Sequence, residues 1–255
     1  MSETSFYSRH WDHYVDTWER WRDKEGEDWR WPGDEWGNPD VWESNYRRFF
    51  VGADSWGKAV EIGQGSGKYT VRVLDGNGKV ALRAYDVSPK FLEVCAGRCK
   101  DHVASGRLSL RQIDVTTPRF LLDDLQDWKR EVDALYSIGV LVHVDLQYLV
   151  PYLLAAGTVL KPGGKLIAGF GNVGSEAGFH RLLADVNPFW KGQLNPDQTG
   201  KYEWLSGCLV ESLLPRLGFQ VDELDAPEDS INVTTVATLV EPERAERLAE
   251  NYLSS

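Results

Sequence analysis

Cysteine is scarce in this sequence, and its scarcity excludes a small fold held together by disulfides. Three cysteines, Cys95, Cys99 and Cys208, are too few and too scattered along 255 residues for such a framework. Cys95 and Cys99 are one helical turn apart, but no second Cys or His pair follows at the spacing of a zinc site. We therefore expect buried or inert thiols, and no metal ion.

Long apolar runs and basic clusters are also missing. No stretch approaches about 18 consecutive apolar residues, so no membrane span is predicted, and the N-terminal residues lack the pattern of a secretory signal, which favours a cytoplasmic protein. The 28 Lys and Arg are outnumbered by 39 Asp and Glu, giving a formal charge of −11. This balance argues against a nucleic-acid partner, because phosphate binding depends on clustered basic side chains. A small-molecule ligand is the simpler expectation, and nothing indicates the oligomeric state.

Tryptophan, by contrast, is abundant and unevenly distributed. Eight of the eleven tryptophans precede residue 57, which predicts an N-terminal, Trp-rich helical extension over residues 1–57 and a more regular domain over 58–255. A second short helix of the extension is expected to begin at Asp40, where Asp40 and Glu43 resemble a capping box. The first helix has an aromatic stripe on one face, at spacings of three, four and three: Trp11, Tyr14, Trp18 and Trp21.

From residue 58 onward, short apolar runs alternate with stretches long enough for helices. Ser88-Pro89 fits a helix N-cap followed by proline at the first helical position. An apolar helix is expected from Leu146 to Leu160, ended by the turn Lys161-Pro162-Gly163-Gly164. This alternation predicts a doubly wound, largely parallel α/β sheet with ligand sites at the carboxyl ends of its strands. Five runs are predicted as buried strands, and two more as an antiparallel pair that closes the sheet: KAVEIG, VALRAYD, LSLRQID, VDALYSI and KLIAGF, then QVDELDAP and INVTTVATLV.

The stretch AVEIGQGSGKYT, residues 59–70, places a glycine-rich turn directly after the first strand. Nucleoside triphosphates, dinucleotides and S-adenosylmethionine are three ligand classes whose sites use such a turn. The triphosphate pattern G-x-x-x-x-G-K-[ST] fails, since Ile62 replaces its first glycine and Tyr69 its hydroxyl residue. The dinucleotide pattern G-x-G-x-x-G is met only in part, because Lys68 occupies the third glycine position.

A third pattern, acid-x-G-x-G-x-G, is satisfied in full by Glu61, Gly63, Gly65 and Gly67. S-adenosylmethionine carries no phosphate, so the turn needs only to let the ligand lie against bare backbone. Its ammonium and sulfonium groups are cations, which suits a nearby carboxylate and aromatic faces. The pattern therefore favours this ligand over the other two.

Acids at the ends of the next two strands support the same interpretation. Asp86 ends LRAYD, where a carboxylate can accept hydrogen bonds from both ribose hydroxyls. Asp114 ends LRQID, where a carboxylate can reach an adenine amino group. The alternative for Asp86 is a solvated loop acid, and for Asp114 a cap on the next helix.

With these motifs in place, residues 58 to about 240 resemble a class I S-adenosylmethionine-dependent methyltransferase. The motif from Glu61 to Gly67 matches the family's first motif, Asp86 its ribose-binding acid and Asp114 its adenine-side acid, while Leu160 to Gly164 matches the turn before the fifth strand. The resemblance implies a seven-stranded Rossmann-like sheet whose last strand is antiparallel. It also implies the cofactor-binding residues: Glu61, Gly63, Gly65, Gly67, Asp86, Val87, Asp114, Val115 and Ser137.

The function implied by the resemblance is transfer of a methyl group from the cofactor S-adenosylmethionine to N or O of a small-molecule acceptor. S-adenosylhomocysteine is the other product. Two alternatives remain at this stage. One is a non-catalytic, cofactor-binding partner subunit that uses the Trp-rich extension as an interaction surface. The other is an NAD-dependent dehydrogenase, against which Lys68 at the third glycine position argues.

Residues of the acceptor side are less defined by the sequence. His143, in GVLVHVD, follows the fourth strand and is a candidate general base or else a structural residue. His180 is expected to face the acceptor pocket after the fifth strand. The extension either only packs against the domain or forms a lid that lines the acceptor pocket and excludes water. Its candidate lid residues are aromatic: Tyr14, Trp18, Trp29, Trp31 and Trp36.

Overall fold

Strands and helices alternate from residue 58 onward in the structure, a computed structural model that describes residues 6–18, 30–35, 39–114, 119–191 and 202–253. The chain divides into two compact units, residues 1–117 and 118–255. Across the described residues, no helix combines the length and the apolar character needed to span a bilayer. The predicted boundary after residue 57 falls inside the first unit and stays a prediction.

Three parallel strands form the sheet of the first unit, in the order β3-β2-β1. The residues of β1 and β2 are mostly buried, as predicted from the sequence, and Tyr85 of β2 is fully buried. The prediction of a buried strand is wrong for β3, in which Leu108 is buried and the last two residues are exposed, because the strand lies at the edge of the sheet. A single 3₁₀ turn over Ala53–Ser55 leads into β1. The helices and strands are, in chain order: α1 (Phe6–Thr17), α2 (Pro39–Phe49), β1 (Lys58–Ile62), α3 (Lys68–Gly76), β2 (Ala81–Asp86), α4 (Pro89–Arg98), α5 (Lys100–Ala104) and β3 (Leu108–Gln112).

Two predicted helix starts in this unit have different outcomes. Ser88 is the N-cap of α4, where its hydroxyl accepts a hydrogen bond from the Phe91 N–H at 3.1 Å and Pro89 follows at the first position, which confirms the prediction. The predicted start of α2 at Asp40 is wrong by one residue. Proline is tolerated at a first helical position, so the helix begins at Pro39 and Asp40 lies in its first turn.

The sheet of the second unit has the order β4-β5-β8-β7, with β6 as an addition on β5. β4 and β6 run parallel to β5, whereas β8 is antiparallel to both β5 and β7. Short 3₁₀ turns cover Gln126–Trp128 and Leu141–His143. The helices and strands are: α6 (Arg119–Asp124), β4 (Val132–Ser137), α7 (Leu146–Val159), β5 (Leu160–Asn172), α8 (Glu176–Trp190), β6 (Trp204–Leu205), α9 (Gly207–Arg216), β7 (Phe219–Asp225), β8 (Asn232–Leu239) and α10 (Pro242–Leu253).

The closing antiparallel pair is confirmed, and its last strand shows why the sequence predicts it. Along β8 every second residue is buried, beginning with Val233, which is the alternation of a strand with one face on the core. The large side chains of Tyr136, Phe170 and Phe219 fill that core. The predicted fold class, a doubly wound α/β Rossmann-like architecture with an antiparallel last strand, is therefore confirmed. The two-residue strand β6 is absent from the prediction.

The segment after the apolar helix differs from the prediction. α7 ends at Val159, but Leu160 already begins β5, so the four residues from Lys161 to Gly164 lie within the strand. Gly163 has a φ of +78°, and the β4–β5 register shifts between Val132 and Ala134. The bend expected as a separate turn is thus a local irregularity at the start of β5.

Candidate functional site

The glycine turn joins β1 to α3 with three residues in left-handed conformations. Gly63, Gly65 and Gly67 have φ values of +72°, +52° and +83°, a region in which L side chains are strained. The Gly63 N–H donates to the Tyr85 carbonyl at 2.6 Å, and the Gly67 N–H donates to the Gln64 carbonyl at 2.8 Å. The three glycines of the sequence motif therefore stand at positions whose positive φ angles would strain any other residue.

Close packing against α4 gives Gly67 a second reason to be glycine. A Cβ at this position would lie 2.7 Å from the Cys95 Sγ, closer than packed side chains approach. Cys95 and Cys99 are both buried and free, and the neighbouring Cys99 thiol together with burial raises the pKa of Cys95. The two thiols thus fill the space behind the turn. This burial agrees with the expectation for Cys95 and Cys99.

Asp86, at the end of β2, is bound to the turn through its side chain. Its Oδ2 accepts the Gly65 N–H at 2.9 Å and its Oδ1 accepts the Ser88 N–H at 2.9 Å. Burial raises the pKa of Asp86 to about 6, and the nearby negative charge of Asp12 also acts to raise it. The two hydrogen bonds, and a third from the Val87 N–H, act to lower it. A carboxylate offers about four lone-pair positions, so with these three N–H donors Asp86 can still accept a hydrogen bond from a ligand.

The remaining predicted cofactor residues lie at strand ends in their own units. Glu61 of β1 is buried, and its Oε2 accepts the Thr70 Oγ1 hydrogen bond at 2.6 Å, which joins the strand to α3. Asp114 lies two residues beyond β3 and is half-buried. Ser137 ends β4 in the second unit and is buried. Val87 follows Asp86 directly, whereas Val115 lies outside the described residues.

The first helix of the extension packs on α4, whose N-cap Ser88 is bound to Asp86 beside the glycine turn. The Tyr14 ring lies 6.0 Å and the Trp11 ring 6.3 Å from the Phe91 ring, centroid to centroid. Asp12 accepts the hydroxyl hydrogen bond of Ser88 at 2.6 Å. Because Ser88 also donates its N–H to Asp86, α1 is connected to the predicted ribose acid through one residue.

A short turn over residues 31–35 is held between α1 and the start of α3. The Glu35 carboxylate accepts hydrogen bonds from the Tyr14 hydroxyl, from the Trp18 Nε1 at 3.0 Å and from the Gly33 N–H at 2.9 Å. Burial raises the pKa of Glu35. Three predicted lid residues, Tyr14, Trp18 and Trp31, therefore lie around one turn of the first unit. Two others, Trp29 and Trp36, lie outside the described residues.

Two basic side chains connect that turn to the helices behind the glycine motif. Lys68 Nζ donates to the Gly33 carbonyl at 2.7 Å and lies over the Trp42 ring. Arg98 of α4 pairs with Asp34 at 3.2 Å. Burial lowers the pKa of Lys68 to about 7, and the charges of Asp34 and Arg98 act on it in opposite directions. The residue that breaks the dinucleotide pattern is thus an anchor for the extension.

In the second unit, His143 lies in an aromatic cluster that the sequence did not reveal. Its ring meets the Tyr202 ring edge-on at 5.1 Å, and Tyr202 stacks on Trp204 at 5.1 Å. Both aromatics flank Glu203, whose N–H donates to the Val142 carbonyl at 2.6 Å. β6 starts at Trp204 and pairs with the end of β5. These contacts place the cluster at the carboxyl ends of β4 and β5, where α/β sheets bind ligands.

Charged residues of α8 complete this cluster, but His180 is not among them. Arg181 lies over the Tyr202 ring at 5.0 Å and pairs with Asp185 at 2.9 Å. Burial raises the pKa of Tyr202. The His180 side chain is 69% exposed and approaches Glu176 at 3.7 Å on the same helix. Within the second unit, the structure thus brings Arg181, and not His180, next to the ring beside His143.

Comparison with protein families gives a match over residues 59–164 to the methyltransferase domain. This range begins within β1, includes the glycine turn, Asp86 and His143, and ends in β5. No curated protein matches the sequence.

Solved structures of similar fold include three proteins, two of which are named as methyltransferases. The pyocyanin biosynthetic protein PhzM is 19% identical over 78% of this chain and 54% of its own, with a TM-score of 0.56. Magnesium protoporphyrin IX methyltransferase (ChlM) from Synechocystis PCC 6803, with bound SAH, is 12% identical over 88% of this chain and 95% of its own, with a TM-score of 0.58. The N,N-8-amino-8-demethyl-D-riboflavin dimethyltransferase (RosA) from Streptomyces davawensis is 16% identical over 78% and 54%, with a TM-score of 0.55.

The chain spans about half the length of PhzM and of RosA, and at these identities the likeness concerns the fold. The matched domain, the fold and the motif from Glu61 to Gly67 agree with one another and with the sequence prediction of family and cofactor. The match to a methyltransferase domain over residues 59–164, the fold and the glycine motif are consistent with a class I methyltransferase, and they indicate S-adenosylmethionine as the cofactor.

Proposed function

We propose that the chain transfers a methyl group from S-adenosylmethionine to an N or O atom of a small-molecule acceptor and releases S-adenosylhomocysteine. The observation that carries this proposal is the hydrogen bond from the Gly65 N–H to Asp86 at 2.9 Å. It joins a glycine-rich turn, whose glycines let a ligand lie on backbone, to a carboxylate suited to ribose hydroxyls. Both features fit an adenosyl ligand that carries no phosphate.

Individual roles follow from the chemistry of each residue. Asp86 accepts hydrogen bonds from the ribose hydroxyls, and Asp114 accepts one from the adenine amino group. The glycines admit the ligand to bare backbone, while Glu61 fixes the turn through Thr70. The full set proposed to bind the cofactor remains the one predicted from the sequence: Glu61, Gly63, Gly65, Gly67, Asp86, Val87, Asp114, Val115 and Ser137.

The extension acts, in this proposal, as a lid on the cofactor turn. Its support is a pair of hydrogen bonds from residues near the turn to the extension: Ser88 Oγ donates to Asp12 at 2.6 Å, and Lys68 Nζ donates to the Gly33 carbonyl at 2.7 Å. Release of the lid would expose the turn to solvent, and closure would exclude water from a reaction that needs a dry, fixed geometry. Tyr14, Trp18 and Trp31 are its described aromatic members.

The reaction is an in-line displacement that depends chiefly on positioning. A lone pair on the acceptor forms the new bond to the methyl carbon, the C–S bond breaks, and its electron pair stays on sulfur. A hydroxyl or ammonium acceptor must also lose a proton, and His143 is the proposed base. The contact of His143 with Tyr202, and of Tyr202 with Arg181, supports an acceptor site at these strand ends.

The choice of a small molecule rests on the acidic charge balance and on the names of the structural neighbours. One neighbour is named as an O-methyltransferase family protein and another as an amino-group dimethyltransferase, so both acceptor atoms are retained. The test has two stages. Calorimetry with S-adenosylmethionine measures binding, and incubation with a cell extract followed by mass spectrometry detects metabolites that gain one methyl group.

The same experiment tests the non-catalytic alternative. A partner subunit would bind the cofactor in calorimetry and give no methylated product with any acceptor panel or extract. A chain that fails to bind S-adenosylmethionine would contradict both functions. The dehydrogenase alternative is set aside, because the methyltransferase domain matches the segment that would carry the dinucleotide motif.

A further inference from the structure

Gln64 is a buried amide inside the glycine turn, and its side chain lacks hydrogen-bond partners. The residue is 4% exposed. Across the residues that the structure describes, neither its Oε1 nor its Nε2 has a hydrogen-bond partner. The main chain of Gln64 does take part in the turn, because its carbonyl accepts a hydrogen bond from the Gly67 N–H at 2.8 Å. The side chain therefore contributes nothing visible to the internal hydrogen bonding of the turn.

Neighbouring polar side chains of the same motif are satisfied within the protein. Glu61 accepts from Thr70 at 2.6 Å, and Ser66 is 3.3 Å from Arg98. Lys68 donates to the Gly33 carbonyl at 2.7 Å. The contrast matters because a buried amide without partners loses its hydration and gains no hydrogen bond in return. A group of this kind in a ligand site points to the ligand as its partner.

The chemistry of the amide indicates which part of the cofactor it meets. A glutamine side chain offers both an acceptor oxygen and two N–H donors, whereas a carboxylate such as Asp86 only accepts. Ribose hydroxyls and the adenine amino group are donors for which the acids are suited. The methionine end of the cofactor carries an ammonium donor and a carboxylate acceptor together, which one amide can bind from both of its atoms.

We infer that the Gln64 side chain binds the amino-acid end of S-adenosylmethionine. Its Oε1 accepts a hydrogen bond from the α-ammonium, and its Nε2 donates to the α-carboxylate. The inference rests on the proposed cofactor site and adds to it a side chain that recognises the amino-acid end of the cofactor. It predicts that Gln64 is dispensable for folding and required for full affinity.

Gln64→Met tests the inference, because methionine has a similar length and no amide. Calorimetry is run with three probes: S-adenosylmethionine, S-adenosylhomocysteine and 5′-methylthioadenosine, which lacks the amino-acid end. Loss of hydrogen bonds to charged groups predicts affinities for the first two that are lower by roughly 10- to 150-fold. Affinity for 5′-methylthioadenosine should stay within about twofold of wild type. The urea midpoint of the free protein should rise, since a buried unpaired amide is removed.

Gln220→Met is the matched control, because Gln220 lies exposed on β7 and its amide reaches only Asp222, at 3.4 Å. Equal loss for all three probes would overturn the inference, as would wild-type affinity for S-adenosylmethionine. Loss confined to S-adenosylmethionine would place the amide at the sulfonium and overturn it as well. A urea midpoint of Gln64→Met below that of the wild type would mean that the amide has hydrogen-bond partners within the protein, and this would also overturn the inference. Failure of the wild type to bind the cofactor would instead contradict the proposed function.

Discussion

Asp86 Oδ2 lies 2.9 Å from the Gly65 backbone nitrogen and accepts its hydrogen bond, so the acid that ends β2 is tied to the turn that follows β1. The other oxygen of Asp86 accepts the Ser88 N–H at the same distance. Together with the Val87 N–H, protein donors thus occupy three of the four lone-pair positions of the carboxylate and leave one for a ligand hydroxyl. Asp86 shapes the turn and is available to ribose, and both roles depend on its charge.

Cofactor affinity should therefore depend on the protonation of Asp86. Burial raises the pKa of Asp86 to about 6, so the carboxylate is charged above that pH and protonated below it. A protonated carboxyl loses its charge and one acceptor position. We expect constant affinity for S-adenosylmethionine above about pH 7 and a loss approaching tenfold for each unit below pH 6. Calorimetry between pH 5 and pH 8 measures this profile.

Two variants assign the profile to Asp86. Asp86→Asn should weaken binding by roughly 1.5–3 kcal/mol, the range for hydrogen bonds to charged groups, and make affinity independent of pH. Asp12→Asn keeps an oxygen for Ser88 but removes a charge that raises the pKa of Asp86, so the midpoint should move to lower pH. A profile that persists in Asp86→Asn would assign the titration to another group.

Substitution of Gly67 should disrupt the turn even by a single methyl group. In Gly67→Ala the new Cβ would lie 2.7 Å from the Cys95 Sγ at a φ of +83°. Strain and overpacking predict a loss of about 1–3 kcal/mol in the free energy of unfolding, together with weaker cofactor binding. Gly78→Ala is the control, because a Cβ at Gly78 meets no atom within 4 Å. Similar urea midpoints for the two variants would contradict the packing argument.

The turn and the fold could be predicted because their determinants are local in sequence. Three glycines at alternate positions specify a backbone path between a strand and a helix, and Ser88-Pro89 specifies the start of α4. The alternating burial of β8 is likewise a pattern of period two within eight residues. Signals of this kind involve neighbours in the chain and need no knowledge of distant contacts.

Residues whose role depends on distant contacts were not predictable. Glu35 is an ordinary acid in a loop sequence, yet it accepts hydrogen bonds from Tyr14 and Trp18. β6 has two residues, too few for any periodicity, and it docks on Gly171, where a Cβ would lie 2.6 Å from the Glu203 carbonyl oxygen. The cluster around His143 depends on this docking, so its members were missed.

Loss of Glu35 should loosen the extension and speed release of the cofactor. Glu35→Ala removes the acceptor shared by the Tyr14 hydroxyl, the Trp18 Nε1 and the Gly33 N–H. Loss of these hydrogen bonds predicts a decrease of about 1–3 kcal/mol in the stability of the turn, while the Gly33 N–H keeps the Tyr14 hydroxyl oxygen as an acceptor at 3.0 Å. If the extension is a lid, stopped-flow measurement of cofactor dissociation should show a faster rate with little change in the association rate.

Glu43→Ala is the control for this prediction. Glu43 of α2 pairs with Arg47 of the same helix and with Arg72 of α3, and surface ion pairs contribute little. Its dissociation rate should equal that of the wild type. Hydrogen exchange of residues 31–35 provides a second measurement, since only Glu35→Ala should increase it. An unchanged dissociation rate despite faster exchange would mean that the extension packs on the domain without acting as a lid.

His143 should affect turnover and leave cofactor binding intact. His143→Gln removes a base while keeping a polar side chain beside Tyr202. For a hydroxyl or ammonium acceptor, we expect kcat to fall by roughly 10²- to 10⁴-fold. His13→Gln, on the exposed face of α1, is the control. The assay uses the acceptor identified from the extract, with calorimetry on the same samples.

The acceptor atom decides how the His143→Gln result is interpreted. A thiolate or a neutral amine brings its own lone pair to the methyl group and needs almost no base. Unchanged kcat with a hydroxyl acceptor would therefore remove His143 from the mechanism, whereas a higher KM alone would assign it to acceptor binding. The Tyr202→Phe variant then separates the two roles, since it keeps the ring that His143 contacts and removes only the hydroxyl. If the ring cluster serves binding, Tyr202→Phe should raise KM less than Tyr202→Ala does, and neither should change the affinity for S-adenosylmethionine.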